Sequence, residues 1–139
     1  MMTGMKRCEI NSACPCGRLY QKKPLAYGAC CGRWLETDTP APDAESLMRS
    51  RYSAFCLERV AYLLRTWHAS HRPPSMEFEP GVKWLGLEVR SHTVLDATHA
   101  EVEFVARQKP LIGPAVRLHE CSRFILENGH WLYVDGDAL

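Results

Sequence analysis

Apolar positions show little regular spacing through the first 42 residues and then settle into two successive periods. Met48, Tyr52 and Phe55 recur at helical spacing behind Asp43, whose carboxylate suits a helix N-cap. Val60, Leu63, Leu64 and Trp67 form a second helical pattern. Residues 70–81, with Pro73, Pro74 and Pro80, break it and predict loop or a single short turn. The period then changes to two. Leu85, Leu87 and Val89 alternate with Trp84, Glu88 and Arg90, and Ala100, Val102, Phe104 and Ala106 alternate with Glu101, Glu103 and Arg107. Two more strand-like runs cover residues 116–127 and 130–135, joined by Asn128-Gly129, a type I′ hairpin signal. Helices followed by antiparallel strands predict an α+β domain: a sheet of about four strands with the helices on one face.

The hairpin sets a register. With Glu127 opposite His130, Leu126 faces Trp131, Phe124 faces Tyr133 and Ser122 faces Asp135, with Glu120 on the same side. The other side carries Arg117, His119, Cys121, Arg123 and Glu127, a solvated mixture. The aromatic side is therefore inner, and it holds two carboxylates, Glu120 and Asp135. A buried carboxylate needs a partner or water. One reading is a structural ion pair, with Arg51, beside the Met48/Tyr52/Phe55 helix face, as the first partner for Glu120. The other is a cavity in which Arg51, His68, Glu120 and Asp135 supply acid–base groups and an anion hold. His68 is read as ending the second helix, where an imidazolium suits the dipole, and Arg49 as pointing toward water. Trp67, Trp84, Trp131 and Tyr133 are either an aromatic cage or ordinary core.

A length of 139 residues allows one domain with a small appendage. Apolar and charged shares of 46% and 24% exclude wholesale disorder. A net charge of 17 − 16 = +1 is too small for binding by broad phosphate neutralisation. The longest apolar run, residues 60–64, falls far short of the ~20 residues of a membrane helix. The first ten residues have no apolar signal core, so a soluble cytoplasmic protein is expected. Residues 1–42 carry six Lys/Arg and three Asp/Glu (+3), and residues 43–139 carry eleven and thirteen (−2). With the Thr/Pro-rich stretch at 37–42, this predicts a small module, 1–42, tethered to a domain over 43–139. The module's Lys6, Arg7, Arg18, Lys22, Lys23 and Arg33 are either a solvated surface or a patch for weak contact with ribosome, RNA or an acidic protein.

Cysteine is the unusual component. Seven thiols without a signal segment argue against a disulfide framework. Cys14, Cys16, Cys30 and Cys31 lie within eighteen residues and fit a tetrahedral structural Zn²⁺ site. Pro15 stiffens the first pair, and Gly17 and Gly32 are read as supplying backbone freedom after each pair. Metal capture would then couple to folding of a segment with no core of its own. A vicinal-thiol redox site at Cys30–Cys31, an iron–sulfur cluster or inert thiols are the alternatives. Cys56 is read as packing, and Cys8 and Cys121 have no assigned role. There is no Gly-rich phosphate loop, G-x-S-x-G or H-E-x-x-H string.

The strings CPCG and CCG around these cysteines resemble the SEC-C motif, a zinc-binding module also found at the C-terminus of the SecA translocase. LMRSRYSAF (47–55), YLLRTWH (62–68), WLGLEV (84–89), VEFVAR (102–107) and SRFILENGHWLYVDG (122–136) resemble the YchJ-like family, in order along nearly the whole chain. The resemblance implies a SEC-C module ahead of a nuclear-transport-factor-two-like (SnoaL-like) domain. That fold is a cone-like roll, a curved antiparallel sheet with helices on its concave face. Zinc ligands carry over to Cys14, Cys16, Cys30 and Cys31. The loop between the cysteine pairs is longer than in the usual motif, and Arg18 stands where a Ser follows the Gly. Two functions fit: a zinc adaptor that docks a protein partner through the module while the larger domain binds a ligand or dimerises, or a small-molecule enzyme of isomerase, dehydratase or hydrolase type. The first is favoured, because the thiolates are committed to metal and His68 has no evident carboxylate to orient it.

Overall fold

The first two strands lie where no apolar alternation predicts them. The computed structural model describes residues 6–139. β1 (Leu19–Tyr20) and β2 (Lys23–Pro24) form a minimal hairpin between the cysteine pairs. Its turn residues Gln21 and Lys22 take φ of 51° and 67°. A 3-10 turn at Tyr27–Ala29 leads into the one-turn helix α1 (Gly32–Leu35). Then follow α2 (Ala44–Cys56) and α3 (Val60–Arg65). Four strands complete the chain: β3 (Lys83–Val94), β4 (His99–Lys109), β5 (Val116–Glu127) and β6 (His130–Ala138). They pair antiparallel as a meander in the order β3-β4-β5-β6. Among the described residues no helix is long and apolar enough to cross a membrane.

Helix α2 organises the rest. Asp43 caps it, its carboxylate accepting from the Ser46 amide at 2.7 Å. Small residues at Ala44, Ser50, Ser53 and Ala54 are all fully buried, which lets neighbours approach α2 from several sides. One side packs on β3, β4 and β6, so a single helix reaches both edge strands and the sheet curls around it. Ala100, Val102, Phe104 and Ala106 of β4 and Phe124 of β5 are buried on that inner face. Exchanging Asp43 for Ala should lower stability by about 1 kcal/mol. The check is a lower urea midpoint at unchanged slope.

Three bulges correct the strand faces expected from simple alternation. Trp84 pairs with Gln108 and Gly86 with Arg107, leaving Leu85 as the extra residue. Trp84 therefore turns inward against Tyr52 and Phe55, with ring centroids 5.5 and 5.7 Å away, and Leu85 is exposed. A second bulge falls at Arg90. The third lies in the last hairpin: Glu127↔His130, Leu126↔Trp131 and Phe124↔Tyr133 match the expected register, but Arg123 then pairs with Asp135 and Ser122 with Gly136. Val134 is the inserted residue, and one inserted residue sends every later side chain to the opposite face. Asp135 therefore points outward, not into the core.

His68 is also relocated. α3 stops at Arg65, and Trp67 forms a parallel bridge with Tyr133. The His68 amide donates to the Tyr133 carbonyl at 2.7 Å, and the Tyr133 amide to Thr66 O at 2.8 Å. His68 is thus clipped to the edge of β6, three residues past the last helical residue, instead of ending the helix.

Candidate metal centre and adjoining cavity

Local backbone bonds preassemble each cysteine pair. The Cys14 amide donates to Leu25 O at 2.9 Å, and the Gly17 amide to Cys14 O at 3.1 Å. Gly17, at φ 72°, supplies a left-handed turn that disfavours side chains. On the second pair, the Cys30 amide donates to Tyr27 O, and the carbonyls of Cys30 and Cys31 accept from Arg33 and Trp34. Gly32 serves differently from the expectation. It is helical, and a Cβ there would collide with the Tyr27 carbonyl and ring. Close approach, not backbone freedom, is what requires glycine.

The four sulfurs of Cys14, Cys16, Cys30 and Cys31 lie within 4.8 Å of one another, all buried, with Cys16 and Cys30 Sγ 3.6 Å apart. Hydrogen bonds from Cys16, Cys30 and Cys31 hold Cys14 well below an ordinary thiol, while those shared with Cys14, Cys16 and Cys30 push Cys31 well above. Such a set suits a soft cation with four protein ligands and no position for substrate. Helix α2 supports it from behind. Ser53 Oγ lies 3.6 Å from Cys14 Sγ, and Arg49 Nη1 donates to Cys16 O at 3.2 Å while Nε bonds Glu45 at 2.8 Å. Arg49 is therefore turned into the protein rather than toward water. The cysteines, Tyr27 and Trp34 share one hydrophobic core with Leu47, Tyr52 and Leu63. All seven cysteines are unpaired. Burial pushes the Cys56 thiol up to about 12, and Cys121 Sγ donates to Glu101 at 3.5 Å.

On the other side of α2 lies a cavity of about 510 Å³, walled chiefly by Phe55, Phe78, Trp84, Phe104, Leu118 and Phe124. Arg51, only 5% exposed, enters it from α2. Its Nη1 donates to Leu63 O and Thr66 Oγ1, both at 2.8 Å. The guanidinium lies 4.7 Å from the Tyr133 ring centroid and 5.2 Å from that of Trp67. Burial lowers its pKa to about 10, so it stays cationic at neutral pH. Glu120 also lines the cavity and accepts from Ser122 Oγ. Its carboxylate lies over Gly136, where a Cβ would strike it.

The expected Arg51–Glu120 ion pair does not form: no Arg51 nitrogen comes within 4.0 Å of a Glu120 oxygen. Backbone and hydroxyl acceptors at the end of α3 hold the guanidinium away, and Ser122 and Gly136 bend the carboxylate back against the sheet. Thr66 and Gly136 meet Arg51 and Glu120 across elements, which spacing along the chain does not show, whereas Ser122 reaches Glu120 along its own strand, two residues away.

The other two candidates lie outside the cavity. His68 Nε2 bonds Glu127 Oε2 at 2.9 Å and Nδ1 bonds Ser70 Oγ at 2.7 Å, so Glu127 is not merely solvated. Asp135 accepts from Arg123 Nε at 2.6 Å, and Asp137 from Arg123 Nη1 at 2.7 Å; the guanidinium holds both carboxyls below the usual range. The four aromatics do not make one cage. Trp67 and Tyr133 flank Arg51, Trp84 joins Tyr52 and Phe55, and Trp131 borders a separate hollow with Ala41 and Tyr62. Of the basic residues in the first segment, Arg18 bonds Ser46 Oγ, Arg33 bonds Cys30 O and Lys6 pairs with Glu58. Lys22 and Lys23 stand exposed at the β1–β2 turn.

Residues 43–136 match the family described as YchJ, middle NTF2-like domain. The chain is 70% identical over 131 residues to a UPF0225 protein of Polaromonas sp. (strain JS666 / ATCC BAA-500), covering 92% of this chain and 94% of that one. A UPF0225 protein of Bordetella bronchiseptica is 55% identical over 135 residues, covering 95% and 97%. Among solved structures, a SEC-C motif containing protein from Rhodopseudomonas palustris superposes with TM-score 0.77 at 30% identity, covering 92% of this chain and 99% of that one. A SEC-C motif containing protein from Psychrobacter arcticus gives TM-score 0.74 at 30% identity, covering 91% and 82%.

Proposed function

The chain belongs to the YchJ (UPF0225) family of SEC-C motif proteins, and from that premise we propose that it is a zinc-stapled ligand-binding protein rather than an efficient catalyst. The observation that carries this reading is the position of α2, whose one side backs four buried sulfurs while another side lines the cavity. A Zn²⁺ ion with ~2.3 Å bonds to four tetrahedral sulfurs spaces them by about 3.8 Å, close to the 3.6 Å between Cys16 and Cys30. Soft thiolates prefer zinc to the hard cations. A centre with four protein ligands activates no water, so its part is to hold α2 in place. Seven unpaired thiols suit the reducing cytoplasm. The exposed Lys22 and Lys23 are the natural contact point for an acidic protein partner.

An enzyme reading draws support from one fact: Glu120 sits in an accessible cavity without an arginine pair. Against it, His68 and Asp135 are engaged elsewhere, and among the described residues the hydrogen-bond partner of Glu120 is the Ser122 hydroxyl rather than a titratable group.

Protein purified without chelator should carry about one zinc per chain, with the four cluster thiols unreactive until denaturant is added. Metal-free native protein with four reactive thiols at these positions would end the reading.

A further inference from the structure

We infer that the cavity takes a small aromatic monocarboxylic acid bearing a hydrogen-bond donor next to its carboxylate, an α-hydroxy or α-amino acid, with the carboxylate on Arg51 and the donor on Glu120. The inference rests on the ligand-binding reading above and names the ligand class.

Arg51 carries the argument. Its side chain is almost wholly buried, and Nη1 alone is engaged; Nε and Nη2 have no hydrogen-bond acceptor among the described residues. A buried guanidinium without a counter-charge is costly. The planar fork left over matches a carboxylate in bidentate fashion. Trp67, against the same guanidinium, buries its indole Nε1 with no acceptor among the described residues. This end of the cavity therefore holds more donors than acceptors.

Glu120 refines the class. Its charge opposes a bare anion, and it meets Arg51 across a gap too wide for a direct ion pair. A head group that accepts from Arg51 and donates to Glu120 spans that gap and satisfies both. Glu58, Glu77 and Glu79 also line the cavity, against a single lysine, Lys6. Those carboxylates disfavour phosphates and other dianions and leave a monoacid. The remaining walls are aromatic and apolar and suit a ring body, and about 510 Å³ is ordinary room for a small ligand.

The test titrates full-length, metal-containing protein with 3-phenyllactate and L-phenylalanine, following tryptophan fluorescence and calorimetry. Saturable one-to-one binding by at least one of them is expected. Methyl 3-phenyllactate, which lacks the anion, and 3-phenylpropionate, which lacks the donor, should each bind at least about tenfold more weakly. In Glu120→Gln the 3-phenylpropionate deficit should shrink, because the repulsion is gone. Arg51→Met should abolish acid binding. Should that variant not fold, the Arg51 Nε–H and Trp67 indole N–H resonances of the unmutated protein give the same answer by shifting with the acid and not with the ester. Equal binding of acid and ester, or a donor-free acid that binds as well, overturns the inference. The neutral probe N-phenyl-1-naphthylamine separates the two levels. If it enters and the acids do not, the ligand class is wrong and the binding reading stands. If neither enters, both fall.

Discussion

Cys31→Ser, or removal of the proposed zinc by a strong chelator, should unfold the whole chain rather than release a detachable knuckle. Cys31 is 1% exposed, and the cysteine cluster belongs to the same core as Leu47, Tyr62 and Leu63. Ser53 and Arg49 tie the first pair to α2, and Glu36, which accepts from Tyr27 OH at 2.8 Å within the segment, ties it to the larger domain by pairing with Arg59 at 3.0 Å. Structural zinc supplies about 10–16 kcal/mol in small peptides. A domain of this size is stable by only about 5–15 kcal/mol. Circular dichroism after chelation should therefore lose strand and helix signal in one transition. A sheet that survives with an unchanged melting midpoint would show the two segments to be independent.

Phe124→Ala should cost about 3–5 kcal/mol. The ring is 2% exposed, pairs across the sheet with Ala100 and Tyr133, and packs edge-on against Tyr133 at 5.9 Å. It also walls the cavity beside Arg51, so its loss enlarges a space that already exists instead of letting the walls close in. Ile112→Ala is the control: at 87% exposure it should stay within about 0.5 kcal/mol of the parent. Urea titrations of the two variants decide the matter. A Phe124→Ala cost below about 1 kcal/mol would mean that the Phe124 ring does not lie in the packed inner face.

Much of this architecture was open to reading because it is governed by neighbours along the chain. Asp43 caps α2 within one turn, and Asn128-Gly129 adopts φ of 53° and 78° as a type I′ turn requires. The cysteine pairs bring their own sulfurs together, so a cation site follows from spacing and needs only the intervening loop to close. The apolar alternation of β4 identified its buried face, where the strand runs without a bulge.

What depends on residues distant in the chain had to wait for the tertiary structure. The bulges at Leu85, Arg90 and Val134 accompany the curl of the sheet around α2, and each reverses the faces of everything beyond it. That is why Trp84 turned inward and Asp135 outward against the expected alternation. Partners follow the same logic. Arg51 stood beside the apolar face of its helix in the sequence, but whether its guanidinium met Glu120 or the carbonyl of Leu63 depended on how α3 packs. His68 had no visible carboxylate nearby until Glu127, 59 positions away, came around the last hairpin. Spacing along one element determines which side chains share a face, because backbone geometry is local. Which charge meets which, and whether an empty space remains between them, is decided only when separate elements close on one another.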